Sequence, residues 1–222
     1  MKIYSFIFVR KNSKRIIKKN LKKINGKSLL NLCIDFNKKI SVIDKIFVST
    51  DCLQMAKIAR NSKCEVILRP KNLTKDNSPE IKSWKHAIQY VTKNFEKNFI
   101  FLSLPVTAPL RRKKDVISCI EAVKKFNYEI CLTVTKTNLD PNFNMLEYKN
   151  GKFKPTIKIS NKRTNKEYYA ITTVAYCAKT SFIKRAKNIL DGKVRYLNIP
   201  FPYSIDIDEL SDLKIAKVFM RK

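Results

Sequence analysis

Glycine and histidine are nearly missing from this sequence, with three of the former and one of the latter in 222 residues. Neither G-x-x-x-x-G-K-S/T nor G-x-G-x-x-G occurs, so the two familiar glycine-rich phosphate loops are excluded. The lone histidine, His86, falls within a helical pattern among apolar residues and reads as structural or exposed. No nucleophile–base triad and no paired-glutamate pattern is in evidence, which leaves hydrolytic chemistry little support. There is no C-x-x-C pair either: Cys33, Cys52, Cys64, Cys119, Cys131 and Cys177 are scattered, several inside apolar runs. That suits buried, reduced thiols in a cytosolic protein better than a disulfide or zinc framework. Nothing resembles a transmembrane span. The first apolar run is short and enters a basic loop without a small-residue cleavage site, so the chain is expected to stay in the cytoplasm, away from membranes.

Acidic residues are scarce as well, 18 against 47 basic ones, for a formal net charge of +29. A surplus of that size binds polyanions non-specifically at low salt whatever the function. A dedicated nucleic-acid surface gathers its charge on one face with arginine and aromatics interleaved. Here lysines punctuate nearly every segment beside abundant Asn and Ile, which is a compositional bias, and no specific nucleic-acid partner is expected. Hydrophobic content of 44% is ordinary for a globular chain, and the length suits one large domain or one domain with a sizeable insertion.

What the sequence does contain is organised around its start. Ile3 to Val9 is a continuous apolar run, the mark of a strand buried on both faces of a parallel sheet. It runs into Arg10-Lys11-Asn12-Ser13-Lys14-Arg15-Ile16-Ile17-Lys18-Lys19-Asn20, a loop with no acid. Ligands of open α/β sheets bind at the carboxyl ends of strands, so Arg10, Lys14, Lys18 and Lys19 form a candidate polyphosphate cradle. Asn12 and Ser13 add neutral donors, and Asn20 is placed to contact a base or ribose. The alternative is a solvated basic loop in a lysine-rich protein.

Downstream, strands and helices alternate. Asn25-Gly26-Lys27-Ser28 predicts a turn and cap before a helix from Leu29 to Lys38. Strands follow at Lys45–Thr50, Cys64–Leu68, 98–104 and 129–136. Between them lie helices from Cys52 to about Arg60 (capped by Asp51), from Ser78-Pro79-Glu80 through Val91, and from Asp115 through Val123. This alternation predicts a doubly wound α/β domain. It breaks near Pro141, where a hairpin is expected about Asn150-Gly151. A long strand from Tyr168 to Cys177, a helix from Thr180 to Leu190, a strand from Val194 to Ile199 and a final helix from about Glu209 to Met220 close the chain.

Asp206 and Asp208 flank Ile207 in a segment that reads as extended, so both carboxylates face one side. Beside a polyphosphate loop they suit a magnesium ion. The alternative is that Asp208, with Glu209 and Asp212, begins and caps the last helix. Arg69-Pro70 and Thr107-Ala108-Pro109-Leu110-Arg111 end predicted strands on the same rim, where a second substrate should lie.

Taken in order, Arg10 to Lys14 continuing to Lys18-Lys19-Asn20-Leu21, Asn25 to Leu29, Val48 to Asp51, Leu68-Arg69-Pro70, Thr107 to Arg111 and Ser204 to Asp208 resemble the successive motifs of the acylneuraminate cytidylyltransferases. The resemblance spans nearly the whole chain. It implies a nucleotide-diphospho-sugar transferase-like, Rossmann-like mixed sheet flanked by helices, and a homodimer formed through a segment at about residues 138–167. It implies transfer of CMP from CTP to the anomeric hydroxyl of a nonulosonic acid with release of pyrophosphate, supporting surface glycans such as lipopolysaccharide. By the same resemblance Arg10, Lys19, Asn20 and Arg69 would hold the nucleotide and its phosphates, and Asp206 and Asp208 would hold Mg2+. Tyr176 and Arg163 would lie near the sugar acid, Arg163 entering from the partner subunit.

The departures from the family pattern fall mostly on the sugar side. Arg15 stands where glycine is usual, Ile17 where proline is frequent, and Glu80 where a small hydroxyl residue is typical near the nucleotide. Pro105 replaces a glutamine, Thr172-Thr173 an Asn-Gly, and a lysine is replaced near Phe143. Two other readings therefore stand beside the first: a non-catalytic nucleotide- or polyanion-binding relative, and a cytidylyltransferase for another acid sugar such as an octulosonic acid.

Overall fold

The computed structural model describes residues 1–75, 78–157 and 166–220. In chain order the strands are β1 (Lys2–Phe8), β2 (Lys23–Ile24), β3 (Lys27–Ser28), β4 (Lys45–Thr50), β5 (Glu65–Leu68), β6 (Phe99–Ser103), β7 (Ile130–Thr137), β8 (Leu146–Lys149), β9 (Lys152–Pro155), β10 (Tyr168–Lys179) and β11 (Val194–Asn198). The helices are α1 (Leu29–Lys38), α2 (Leu53–Asn61), α3 (Glu80–Asn94), α4 (Lys113–Lys124), α5 (Thr180–Arg185) and α6 (Leu210–Phe219). Seven strands form one sheet in the order β11-β7-β10-β6-β1-β4-β5. All run parallel to β1 except β10, which is antiparallel to both β6 and β7. The sheet is therefore mixed and flanked by helices, as the family resemblance implies.

Strand β1 sits in the middle, and its alternation divides the core in two. Ile3, Ile7 and Val9 point to one face, where Leu30 and Ile34 of α1, Met55 of α2, Val116 and Ile120 of α4 and Leu213 of α6 pack. Tyr4 and Phe6 point to the other, against Trp84 and Ile88 of α3 and Phe182 of α5. The second face is aromatic: Phe6 stacks on Phe101 of β6 with ring centroids 4.7 Å apart, and Trp84 lies 5.1 Å from the same ring. Burial of this order, at roughly 1.5 to 3 kcal/mol per large side chain, fixes the register of the central strands.

Local signals explain the ends of several elements. Ser28 caps α1, its Oγ accepting from the Asn31 amide at 3.1 Å. Asn150 and Gly151 both have positive φ, which the tight β8–β9 hairpin requires. Asp51 does not cap α2 as expected; its carboxylate accepts from the Lys11 amide at 2.8 Å, and Cys52 occupies the cap position. The helix expected from Thr180 to Leu190 stops at Arg185, because Ala186 turns extended and Asp191 takes the Lys187 and Asn188 amides.

Strand β10 carries an irregularity between Ile171 and Tyr176. A hydroxyl network holds it: Thr172 Oγ1 donates to Thr133 Oγ1 at 2.8 Å, which also accepts from the Ala175 amide at 3.2 Å. Within the irregularity, Thr173 comes 3.3 Å from Thr107, hydroxyl to hydroxyl.

Candidate active site

The chain leaves β1 toward β4 and β5 on one side and reaches β6 on the other, so the strand order reverses at the β1/β6 boundary. The loops after β1 and β6 diverge there and leave a crevice. A cleft of about 590 Å³ occupies it, lined on one wall by Arg10, Ser13, Lys14, Arg15, Lys19 and Asn20. Arg69, Thr74, Glu80 and Ser83 also line it, with Arg10 Nη1 donating to the Thr74 carbonyl at 3.4 Å, and Pro105, Val106 and Thr107 lie at the β6 end.

Asn20 is buried and gives the basic loop its shape: its Nδ2 donates to the Arg10 carbonyl at 3.0 Å. Lys19 fastens that loop to the segment before α6, donating to the Ile207 carbonyl at 2.7 Å and to Asp208 Oδ1 at 2.9 Å. Arg15 reaches the same Asp208 oxygen, also at 2.9 Å. The segment is completed by the Ile207 amide donating to the Thr107 carbonyl at 2.8 Å. It is not a sheet strand, yet Ile207 is fully buried while Asp206 and Asp208 are half-exposed on the other side, so the expected alternation holds. Helix α6 is capped by Glu209 and Asp212 in a reciprocal box, which leaves Asp208 to the basic loop.

Arg69 is held by Ser49, donating from Nε to the hydroxyl at 3.2 Å and from Nη2 to the carbonyl at 2.8 Å, with Phe8 beneath it at 5.4 Å. Burial pulls its guanidinium down to about 10, so it stays charged at neutral pH. Glu80 opens to solvent through the cleft but is enclosed by protein elsewhere; desolvation raises its carboxyl, opposed by the Trp84 Nε1 hydrogen bond at 3.3 Å and by Arg69. Tyr176 is buried against Trp84, and the phenol is raised by desolvation and by the Glu80 and Asp206 charges.

The sequence-derived candidates thus separate. Arg10, Ser13, Lys14, Lys19, Asn20, Arg69 and Thr107 converge on the cleft. Asn12 is exposed outside its lining, and Tyr176 lies behind it beneath α3. Arg111 turns away: it is buried, donating from Nε to the Ala108 carbonyl at 2.8 Å and from Nη2 to the Pro105 carbonyl, and it braces the 105–111 turn from behind. Arg163 lies outside the described residues. Sequence reasoning did not include Arg15, Glu80 or Ser83 among the site residues. For Glu80 the available signal was a carboxylate in the first turn of a helix that opens on the ligand-binding rim.

Among the described residues no group of three or more His, Cys, Asp or Glu side chains is arranged to hold a metal by itself. Asp206 Oδ1 is nevertheless buried without a hydrogen-bond partner, and Asp208 lies one residue on. Magnesium commonly takes only one or two carboxylates and completes its shell with substrate phosphates and water, so this donor set fits that ion.

A sequence model of the cytidylyltransferase family matches residues 6–191. The chain belongs to that family and is a nucleotidyltransferase. It is 24% identical over 220 residues to the post-translational flagellin modification protein B of Campylobacter coli, covering 97% of this chain and 94% of that one. It is 26% identical to the CMP-N,N'-diacetyllegionaminic acid synthase of Legionella pneumophila, covering 99% and 97%, and 31% identical to the N-acylneuraminate cytidylyltransferase of Escherichia coli, covering 62% and 32%. In structure it is similar to a CMP:2-keto-3-deoxy-manno-octonic acid synthetase complexed with CTP, with a TM-score of 0.72 at 13% identity over the whole of this chain.

Proposed function

We propose that this protein transfers CMP from CTP to the anomeric hydroxyl of a nonulosonic acid and releases pyrophosphate. The observation that supports this most directly is the cleft at the strand-order reversal, basic on its β1 side, whose Lys19 is bonded to Asp208 of the segment that lies just outside its lining. Three of the similar proteins are named for an acid sugar, and those names differ on which: sialic, legionaminic or octulosonic.

In this reading the sugar hydroxyl oxygen attacks the α-phosphorus, a new P–O bond forms, the α–β bridge bond breaks and the hydroxyl proton leaves to solvent. Arg10, Lys14 and Lys19 bind the triphosphate and offset charge that grows on the departing pyrophosphate. Lys19 is pre-positioned by Ile207 and Asp208, so little reorganisation accompanies the reaction. Asp206 and Asp208 would hold magnesium, which neutralises phosphate charge and lowers the pKa of a bound hydroxyl. The acid sugar would enter past Thr107, where Pro105 and the Thr107–Thr173 pair shape the wall. The β8–β9 hairpin exposes Leu146, Tyr148 and Phe153, and in this reading it packs against a second copy to form the homodimer. Replacing Tyr148 and Phe153 by serine should then convert a dimer to a monomer in light scattering.

The test is magnesium-dependent pyrophosphate release from CTP at moderate salt with Neu5Ac, legionaminic, pseudaminic and octulosonic acids in parallel. Release with one of them establishes reaction and substrate together. CTP binding with no release from any acid favours a descendant that keeps the nucleotide site and has lost the transfer.

A further inference from the structure

We propose that Arg15 holds the place of the divalent cation at Asp208: its guanidinium pairs with that carboxylate before the nucleotide arrives, then releases it to the incoming cation and moves onto the phosphates. This rests on the cytidylyl-transfer reading and adds to it a residue that couples cation entry to nucleotide entry.

Two basic side chains converge on one oxygen. Lys19 Nζ and Arg15 Nη2 each lie 2.9 Å from Asp208 Oδ1, so one negative charge is met by two positive ones. Asp206 is treated in the opposite way, its Oδ1 buried without a hydrogen-bond partner. The two basic side chains are also held unequally. Lys19 is 14% exposed and has a second bond, to the Ile207 carbonyl at 2.7 Å. Arg15 is 63% exposed, and no other hydrogen bond or ion pair holds its side chain among the described residues. An exposed ion pair of that kind contributes little, so Arg15 is the one that can leave while Lys19 stays.

Position makes the exchange possible. Arg15 lines the cleft beside Lys14 and Lys19, and Asp208 lies just outside that lining, so the guanidinium reaches from the cleft to the carboxylate. A divalent cation at Asp208 repels a neighbouring guanidinium, and phosphate oxygens attract it and match its planar fork. A cation arriving alone must push Arg15 into water with nothing gained in return. A cation arriving with a triphosphate supplies the repulsion and the new partner together, so the two ligands bind in concert. Arg15 stands where the family pattern has glycine, which has no side chain to place there, so this exchange is particular to the present chain.

The experiment compares wild type, R15A and R15K as full chains at moderate salt, after far-UV dichroism has verified their folds. Mn2+ alone is titrated and followed by the electron paramagnetic resonance of the free ion, and CTP binding in excess Mg2+ is measured by calorimetry. In R15A the affinity for Mn2+ alone should rise by about fivefold, the upper end of what an exposed ion pair withholds. Its CTP affinity should fall by about fivefold or more, because a charge-assisted contact to phosphate outweighs the pair given up. Opposite signs in the two measurements are the signature of the exchange, since a residue that merely stiffened the loop would move both the same way. R15K keeps the charge and should recover part of each change. If R15A stays within twofold of wild type in either measurement, or moves both in one direction, the role of Arg15 is overturned and the cytidylyl reading stands. Wild type that fails to bind CTP in Mg2+ overturns that reading together with it.

Discussion

Replacing Lys19 with methionine separates two roles that the geometry joins in one side chain. Its ammonium is 14% exposed and makes two short contacts, to the Ile207 carbonyl at 2.7 Å and to Asp208 Oδ1 at 2.9 Å. As a strut, each charge-assisted hydrogen bond is worth roughly 1.5 to 3 kcal/mol when removed. Asp208 keeps Arg15 and is 35% exposed, so water and the guanidinium recover part of that, and the net cost to stability should be about 1 to 3 kcal/mol. A domain with a typical reserve of about 5 to 15 kcal/mol stays folded after such a loss. As a group that meets charge developing on the leaving phosphates, Lys19 should contribute roughly 3 to 4 kcal/mol to the transition state, or about a hundred- to a thousandfold in kcat. The strut alone would leave activity at 25 °C nearly intact, so the two magnitudes are distinguishable. Pyrophosphate release and a urea denaturation curve on the same preparation provide the assay. A variant that remains folded and retains kcat within about threefold of wild type would refute the catalytic role. Lys19→Arg should recover only part of the loss, because a planar fork cannot point one charge at both oxygens.

Asn20→Ala should weaken the fold by about 1 to 3 kcal/mol, because the Arg10 carbonyl loses its donor inside the loop; thermal melts check the stability, and CTP titration should show weaker binding through a displaced Arg10. The carboxyl of Glu80 is raised in the fold mainly by desolvation, so its contribution to stability is full below the ordinary carboxylate range and is lost as pH rises through the raised value. Glu80→Gln should therefore gain stability relative to wild type as pH rises above the ordinary carboxylate range in urea titrations; a flat or opposite difference contradicts a raised Glu80 carboxyl. All six cysteines are free and buried; burial raises the thiols of Cys33, Cys64 and Cys177, and a hydrogen bond with Cys131 followed by burial raises that of Cys119, so a thiol reagent should react slowly with native protein and promptly with six thiols in denaturant.

The central strands and the basic loop were legible because their signals are local. A seven-residue strand with apolar positions on both faces must lie inside a sheet covered twice, and the loop that follows it must then emerge at the ligand-binding rim. The Asn150-Gly151 hairpin and the Ser28 cap were legible for the same reason, since each depends on one or two residues with particular backbone preferences. What escaped was decided by contacts that no residue type or short motif specifies. Asp51 has the residue type of a cap, but a Lys11 amide 40 residues away claims it. Arg111 has the position of a ligand residue, but the carbonyls of its own turn and the face of Phe36 hold it in the interior.

The same distinction explains why the basic side of the cleft could be read from sequence more completely than the β6 side. Arg10, Ser13, Lys14, Lys19 and Asn20 fall within eleven consecutive residues, and one strand–loop unit delivers them all to one wall. The opposite boundary is assembled from pieces far apart: Pro105 and Thr107 after β6, Thr173 from the irregularity in β10, and the segment before α6, joined by a hydroxyl contact and by one amide donating to the Thr107 carbonyl. Those contacts depend on β10 running antiparallel between β6 and β7, a direction that no short motif encodes. Substitutions there change the shape of a wall without disturbing the basic loop, so under the proposed function selection of the acid can diverge while the phosphate-binding loop is retained.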